Sequence, residues 1–93
     1  MKLDDVLAER GRTHGNWRDN ARLAQAMKEL WRNEPGWQRL SVGQREALEM
    51  IGHKIARILS GDCGHVDHWR DIGGYAELAV RELDDGGSDV CRS

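Results

Sequence analysis

The stretch Ser41-Val42-Gly43-Gln44-Arg45-Glu46-Ala47-Leu48-Glu49-Met50-Ile51-Gly52-His53-Lys54-Ile55-Ala56-Arg57-Ile58-Leu59-Ser60-Gly61 decides the fold. Its first four residues fit the S-x-x-Q capping box, which satisfies two orphan amides reciprocally at a helix start. At ~100° per residue, Leu48, Ile51, Ile55, Ile58 and Leu59 then fall within about 100° of one side. Glu46, Glu49, His53 and Arg57 collect on the opposite side. Gly61 supplies the stop. Outward from this helix the pattern stays helical, and no segment alternates as a strand would. Upstream, Asn33-Glu34-Pro35-Gly36 reads as a turn. Before it, Asn16 is a good N-cap for a helix over Trp17–Arg32, with Ala24, Met27, Leu30 and Trp31 on one side. A short first helix, Leu3–Arg10, is expected to end at Gly11, leaving Arg12-Thr13-His14-Gly15 as a loop.

Downstream, a fourth helix is expected from Asp67, whose carboxylate can accept a first-turn amide, to Asp84 before Gly86-Gly87. Trp69, Ile72, Ala76, Ala79, Val80 and Leu83 form its apolar side, which places Trp69 in the core. Gly73-Gly74 inside it costs roughly 1–2 kcal/mol relative to two alanines, which predicts close packing against another backbone there. Residues 85–93 read as a flexible polar tail. The expected architecture is all-α, a small antiparallel bundle of about four helices in a single domain over residues 1–84.

With 93 residues there is room for one domain and a small core, which excludes barrel and two-domain nucleotide enzymes. Fourteen Lys+Arg against sixteen Asp+Glu give a net charge of −2, so general nucleic-acid or membrane binding has no electrostatic basis. No run of 18 apolar residues offers a membrane span. The N-terminal MKLDDVLAERG lacks the apolar centre of a signal peptide. Two cysteines, Cys63 and Cys91, are too few for a disulfide framework, and a reducing cytoplasm is expected. Phe is absent while Trp occurs four times, so the indoles must supply much of the core or an interface. A limited core and this aromatic stock predict a homodimer.

The third and fourth helices each carry a chemical face beside the apolar one. Carboxylates on two facing helices suit a hard cation such as Mg²⁺, which takes oxygen ligands and bridges to phosphates. Glu46, Glu49 and Asp71 would supply oxygens, with Asp67 as a further ligand. Arg12, Lys54 and Arg57 would meet phosphate oxygens, and His53 or Tyr75 would orient the substrate. A metal-bound water could then attack phosphorus. A solvated polar stripe with an ordinary Glu49–His53 i,i+4 pair accounts for the same residues. Cys63-x-His65-x-x-His68 offers zinc-type donors, although the spacing follows no familiar zinc pattern and reads equally as a turn. Arg10-Gly11-Arg12-Thr13-His14-Gly15-Asn16 precedes a helix N-terminus, where amides and the dipole favour phosphate; without Walker spacing it is equally a plain connection. Cys63 with His65 lacks a third orienting group for thiol chemistry.

Residues 44–62 and 65–78, together with Arg12-Thr13-His14-Gly15 and Asp19-Asn20-Ala21-Arg22, resemble a family of small phage and prophage proteins of uncharacterised role. The likeness covers most of residues 5–83. That family is in turn distantly similar to the all-α, MazG-like nucleoside triphosphate pyrophosphatases, whose E-x-x-E and later E-x-x-D motifs hold Mg²⁺. Glu46-x-x-Glu49 matches the first motif and Asp71 the Asp of the second. Arg45 stands where that group often has another acid, and His68 stands where the second motif has Glu. The resemblance implies a phage-encoded protein in the bacterial cytoplasm that binds a nucleotide with Mg²⁺ and cleaves its α–β phosphate bond. The alternative is a non-enzymatic module that docks on a host or phage protein through a surface Trp and charged rim.

Overall fold

A computed structural model describes residues 2–86. Among these residues there are four α-helices, α1 (Leu3–His14), α2 (Trp17–Arg32), α3 (Val42–Ser60) and α4 (Val66–Asp84), and a 3-10 turn at Pro35–Arg39. The chain is all-α, as its periodicity requires. The expected tail falls largely outside the described residues, as does Cys91. No helix among the described residues is long and apolar enough to cross a membrane.

Local signals set most boundaries. Ser41 Oγ accepts from the Gln44 amide at 3.0 Å, and Gln44 Oε1 accepts from the Ser41 amide at 2.9 Å, completing the capping box. Asn16 caps α2 by accepting from the Asp19 amide at 2.8 Å. α4 starts at Val66, beside the expected Asp67, but the expected carboxylate cap is not made: the N-cap is His65, with no side-chain capping bond. The first helix also runs past its expected end, through Gly11 to His14. Gly11 only weakens a helix, whereas Gly15, at φ +80° and ψ 179°, adopts a backbone conformation that is open to glycine and lies outside the helical region, which terminates one.

α3 is the centre of a flat three-helix layer. On one side Ser60 meets Asn20 and Glu49 meets Arg32, so α2 runs antiparallel to it. On the other side Lys54 meets Asp71, while a Cβ on Gly43 would collide with the Glu82 carboxylate, so α4 is also antiparallel. Close approach to α2 depends on Gly52, where an added Cβ would come 2.8 Å from the Trp31 ring. Trp31 stacks on Trp37 of the 3-10 turn, with centroids 6.2 Å apart. With α2 and α4 on opposite flanks, α3 keeps two open edges. Glu46, His53 and Arg57 share one; Leu48, Ile55 and Leu59 share the other.

The two helical corners meet backbone to backbone. A Cβ on Gly61 would lie 2.5 Å from Gly15 N and His14 C and 2.6 Å from Thr13 O. The Asp62 amide donates to Thr13 O at 3.1 Å, and Asn20 Nδ2 donates to His14 O at 2.7 Å.

Burial departs from the sequence expectation. Among the described residues the buried apolar ones are Ala24, Trp37, Ala47, Ala56 and Ile58, three of them alanines. Trp69, expected in the core, is 55% exposed, because its indole N–H reaches back to the Cys63 carbonyl at 2.8 Å. Leu48 and Leu59, on the expected dry stripe of α3, are exposed as well. Gly73 and Gly74 have no atom within 4 Å of an added Cβ, so within this chain they do not mediate the close packing their cost predicts.

Candidate functional site

On the polar edge of α3 a cleft of about 460 Å³ opens between α1, α2 and the C-terminal half of α3. Its floor is small, with Ala21, Ala24 and Ala56. α1 contributes Leu7, Arg10, Gly11 and His14, a helical face at i, i+3, i+4 and i+7 that exists because the helix continues through Gly11. α2 contributes Trp17, Asn20 and Gln25, and α3 contributes His53 and Arg57 one turn apart. The formally charged residues lining it are Arg10 and Arg57. No carboxylate lines it.

Burial, aided by nearby cations, disfavours the charged forms of His14 and His53. His14 is pushed down to about 4, first by burial and then by Arg10, His68, Arg57 and His65. His53 is also lowered, first by burial and next by Lys28 and Arg57, with Glu49 opposing. Neutral His14 and His53 can therefore each offer one donor and one acceptor near pH 7. His14 belongs to a packed trio behind the cleft. Its ring lies edge-on to His68 at 4.7 Å, and His65 lies 4.7 Å from His68. His68, 1% exposed, donates from Nε2 to Thr13 O at 2.8 Å, which fixes its tautomer.

The acidic residues singled out in the sequence do not converge. Glu49 turns toward α2 and pairs with Lys28 at 3.6 Å and Arg32 at 3.4 Å. Asp71 pairs with Lys54 at 3.0 Å on the opposite flank, and the Lys54 ammonium holds its carboxyl below the usual range. Asp67 is exposed, with Arg70 at 3.8 Å, and Glu46 is exposed on α3. Among the described residues no group of three or more His, Cys, Asp or Glu is placed to hold a metal ion. The residues therefore do not fit the Mg²⁺ set Glu46, Glu49, Asp67 and Asp71. They do not fit a zinc site at Cys63, His65 and His68 either. The physical reason is that Glu49 and Asp71 sit on opposite flanks of α3, and each of the two has a cation of its own.

Of the expected substrate contacts, His53 and Arg57 line the cleft. Arg12 lies outside its lining and pairs with Glu9. Lys54 is buried against α4, and Tyr75 sits half-buried on α4, away from the cleft. Arg10 belongs to the Arg10–Asn16 segment singled out in the sequence, of which Gly11, His14, Gly15 and Asn16 also line the cleft; Trp17, Asn20 and Gln25 are the residues that the sequence did not assemble. The usable signal was the pair of i,i+4 repeats, Arg10–His14 and His53–Arg57, once Gly11 is read as part of a helix.

Comparison with known family models, with curated proteins and with solved structures gives no match. The chemistry of the cleft is therefore what bears on function.

Proposed function

We propose that this chain binds a phosphate-bearing small molecule, a nucleotide, in the cleft between α1, α2 and α3. The observation that carries the reading is the cleft's one-signed lining: two guanidinium groups and no carboxylate. Arginine pairs bidentately with phosphate oxygens, and low-dielectric walls strengthen that attraction. The cleft volume falls in the range of small-molecule sites, and the side-chain amide of Gln25 can fix orientation, whereas Asn20 is held by His14 O and Ser60 Oγ. Trp17, 82% exposed at the mouth, offers a face on which a base can stack. The ligand's place here is the cationic cleft, and the reading is one of binding without hydrolysis.

The test is tryptophan fluorescence and calorimetry with nucleoside mono-, di- and triphosphates and with inorganic phosphate, in chelator and then in Mg²⁺. The expected result is saturable binding in chelator that weakens with salt. Arg57→Ala and Arg10→Ala should each weaken it by about tenfold or more, the loss of one charge-assisted contact. No saturable binding at millimolar ligand, or binding indifferent to both substitutions, overturns the proposal.

A further inference from the structure

The other edge of α3 is dry and uncovered. Leu48, Ile55 and Leu59 of α3 lie beside the Trp69, Ala76 and Val80 side of α4, and between the helices runs an apolar groove floored by Ala47, Ile51 and Ala79. Leu48 is 41%, Leu59 68%, Trp69 55% and Val80 47% exposed. No charged side chain interrupts either stripe. Arg70, Glu77, Arg81 and Asp84 flank it along α4 and bring both signs to its rim. An apolar centre inside a mixed charged rim is the anatomy of a protein interface, and a rim of both signs lets identical surfaces meet without net repulsion.

From these features we infer that this face is where a second copy of the chain packs, with the two α4 helices crossing at Gly73. Two features argue for a second copy as the occupant. The first is area: Leu48, Leu59, Trp69 and Val80 leave an apolar surface of about a few hundred Å², which with its charged rim approaches the roughly 800 Å² per partner of a stable interface. The second is Gly73, which falls at i+4 from Trp69 and three before Ala76, inside the same stripe. It weakens α4 and touches nothing in its own chain. A glycine flanked by Ala76 on an uncovered helix face permits backbone-close approach by another helix. Among the described residues only five apolar ones are buried, which leaves apolar surface for a partner, and the partner always present at matching concentration is the same polypeptide. This inference stands apart from the cleft, which lies on the opposite edge of α3.

Gly73 and Gly74 give a matched test, since neither has a neighbour within 4 Å and only Gly73 lies in the stripe. Sedimentation velocity of the full chain is expected to show a particle of twice the 10.6 kDa chain mass at micromolar concentration. Gly74→Leu should keep that particle. Gly73→Leu should weaken association by about tenfold or more while circular dichroism stays helical. Should Gly73→Leu lose helix, Val80→Asp at its exposed position reads the same association and should give monomer. A wild-type chain that sediments as a monomer at high micromolar concentration overturns the inference. So does Gly73→Leu or a folded Val80→Asp that dimerises as tightly as Gly74→Leu.

Discussion

Gly61→Ala tests how the two helical corners are joined. The new methyl would lie 2.5 Å from Gly15 N and His14 C and 2.6 Å from Thr13 O, all backbone atoms that cannot rotate away. Ordinary contact needs about 3.5 Å, so the corners must part by roughly 1 Å. Two hydrogen bonds cross that gap: Asp62 N to Thr13 O at 3.1 Å and His68 Nε2 to Thr13 O at 2.8 Å. At about 1 kcal/mol each, their loss costs roughly 2 kcal/mol. For a chain of this size that lowers the melting midpoint by roughly 8–16 °C. Thermal melts followed by circular dichroism give the midpoint, and hydrogen exchange at the Asp62 amide locates the damage. Gly11→Ala is the control, because nothing lies within 4 Å of its added Cβ and α1 should gain roughly 0.5–1 kcal/mol. If Gly61→Ala melts with the wild type and its Asp62 amide stays protected, the corners are not locked in this way.

Acid should loosen the same region. His14 has a folded-state value of about 4 against 6.5 for the free side chain, so between those values the unfolded chain binds more protons. Its contribution is complete above about pH 6.5 and is lost as pH falls toward 4, on the order of 1 kcal/mol once solvent screening at this half-buried site is allowed for. Denaturant midpoints measured from pH 7 to 4.5 should fall, and His14→Gln should flatten that slope; an equally steep slope in the variant refutes the assignment. At the other end of α3, Ser41→Ala removes half of the capping box and should cost about 1 kcal/mol by urea denaturation. A variant as stable as wild type would mean that the cap contributes nothing to α3.

What the sequence made legible was local. Asn16, the Ser41–Gln44 box and Gly61 mark α2 and α3 because each acts through backbone groups a few residues away. Gly11 was misread because conformational freedom permits a stop without imposing one; Gly15, clamped against the Ser60 backbone, imposes it. The carboxylate site was misread for a different reason. A helical wheel shows that Glu46, Glu49, His53 and Arg57 share a side, but it cannot show where the neighbouring helix lands. Here α2 lands beside Glu49 and neutralises it with Lys28 and Arg32, leaving His53 and Arg57 to the cleft. Trp69 fails similarly, since an apolar stripe on α4 is wider than the strip α3 covers.

α3 has no idle side. One flank takes α2 through Gly52, the other takes α4 through Lys54, and the two remaining edges carry the cleft and the uncovered leucines. A single inserted codon anywhere in its middle would turn everything downstream by ~100° and hand each neighbour the wrong residues. Length variation in this protein should thus be tolerated near the 3-10 turn or beyond α4, while the nineteen-residue rod accepts changes of letter but not of phase.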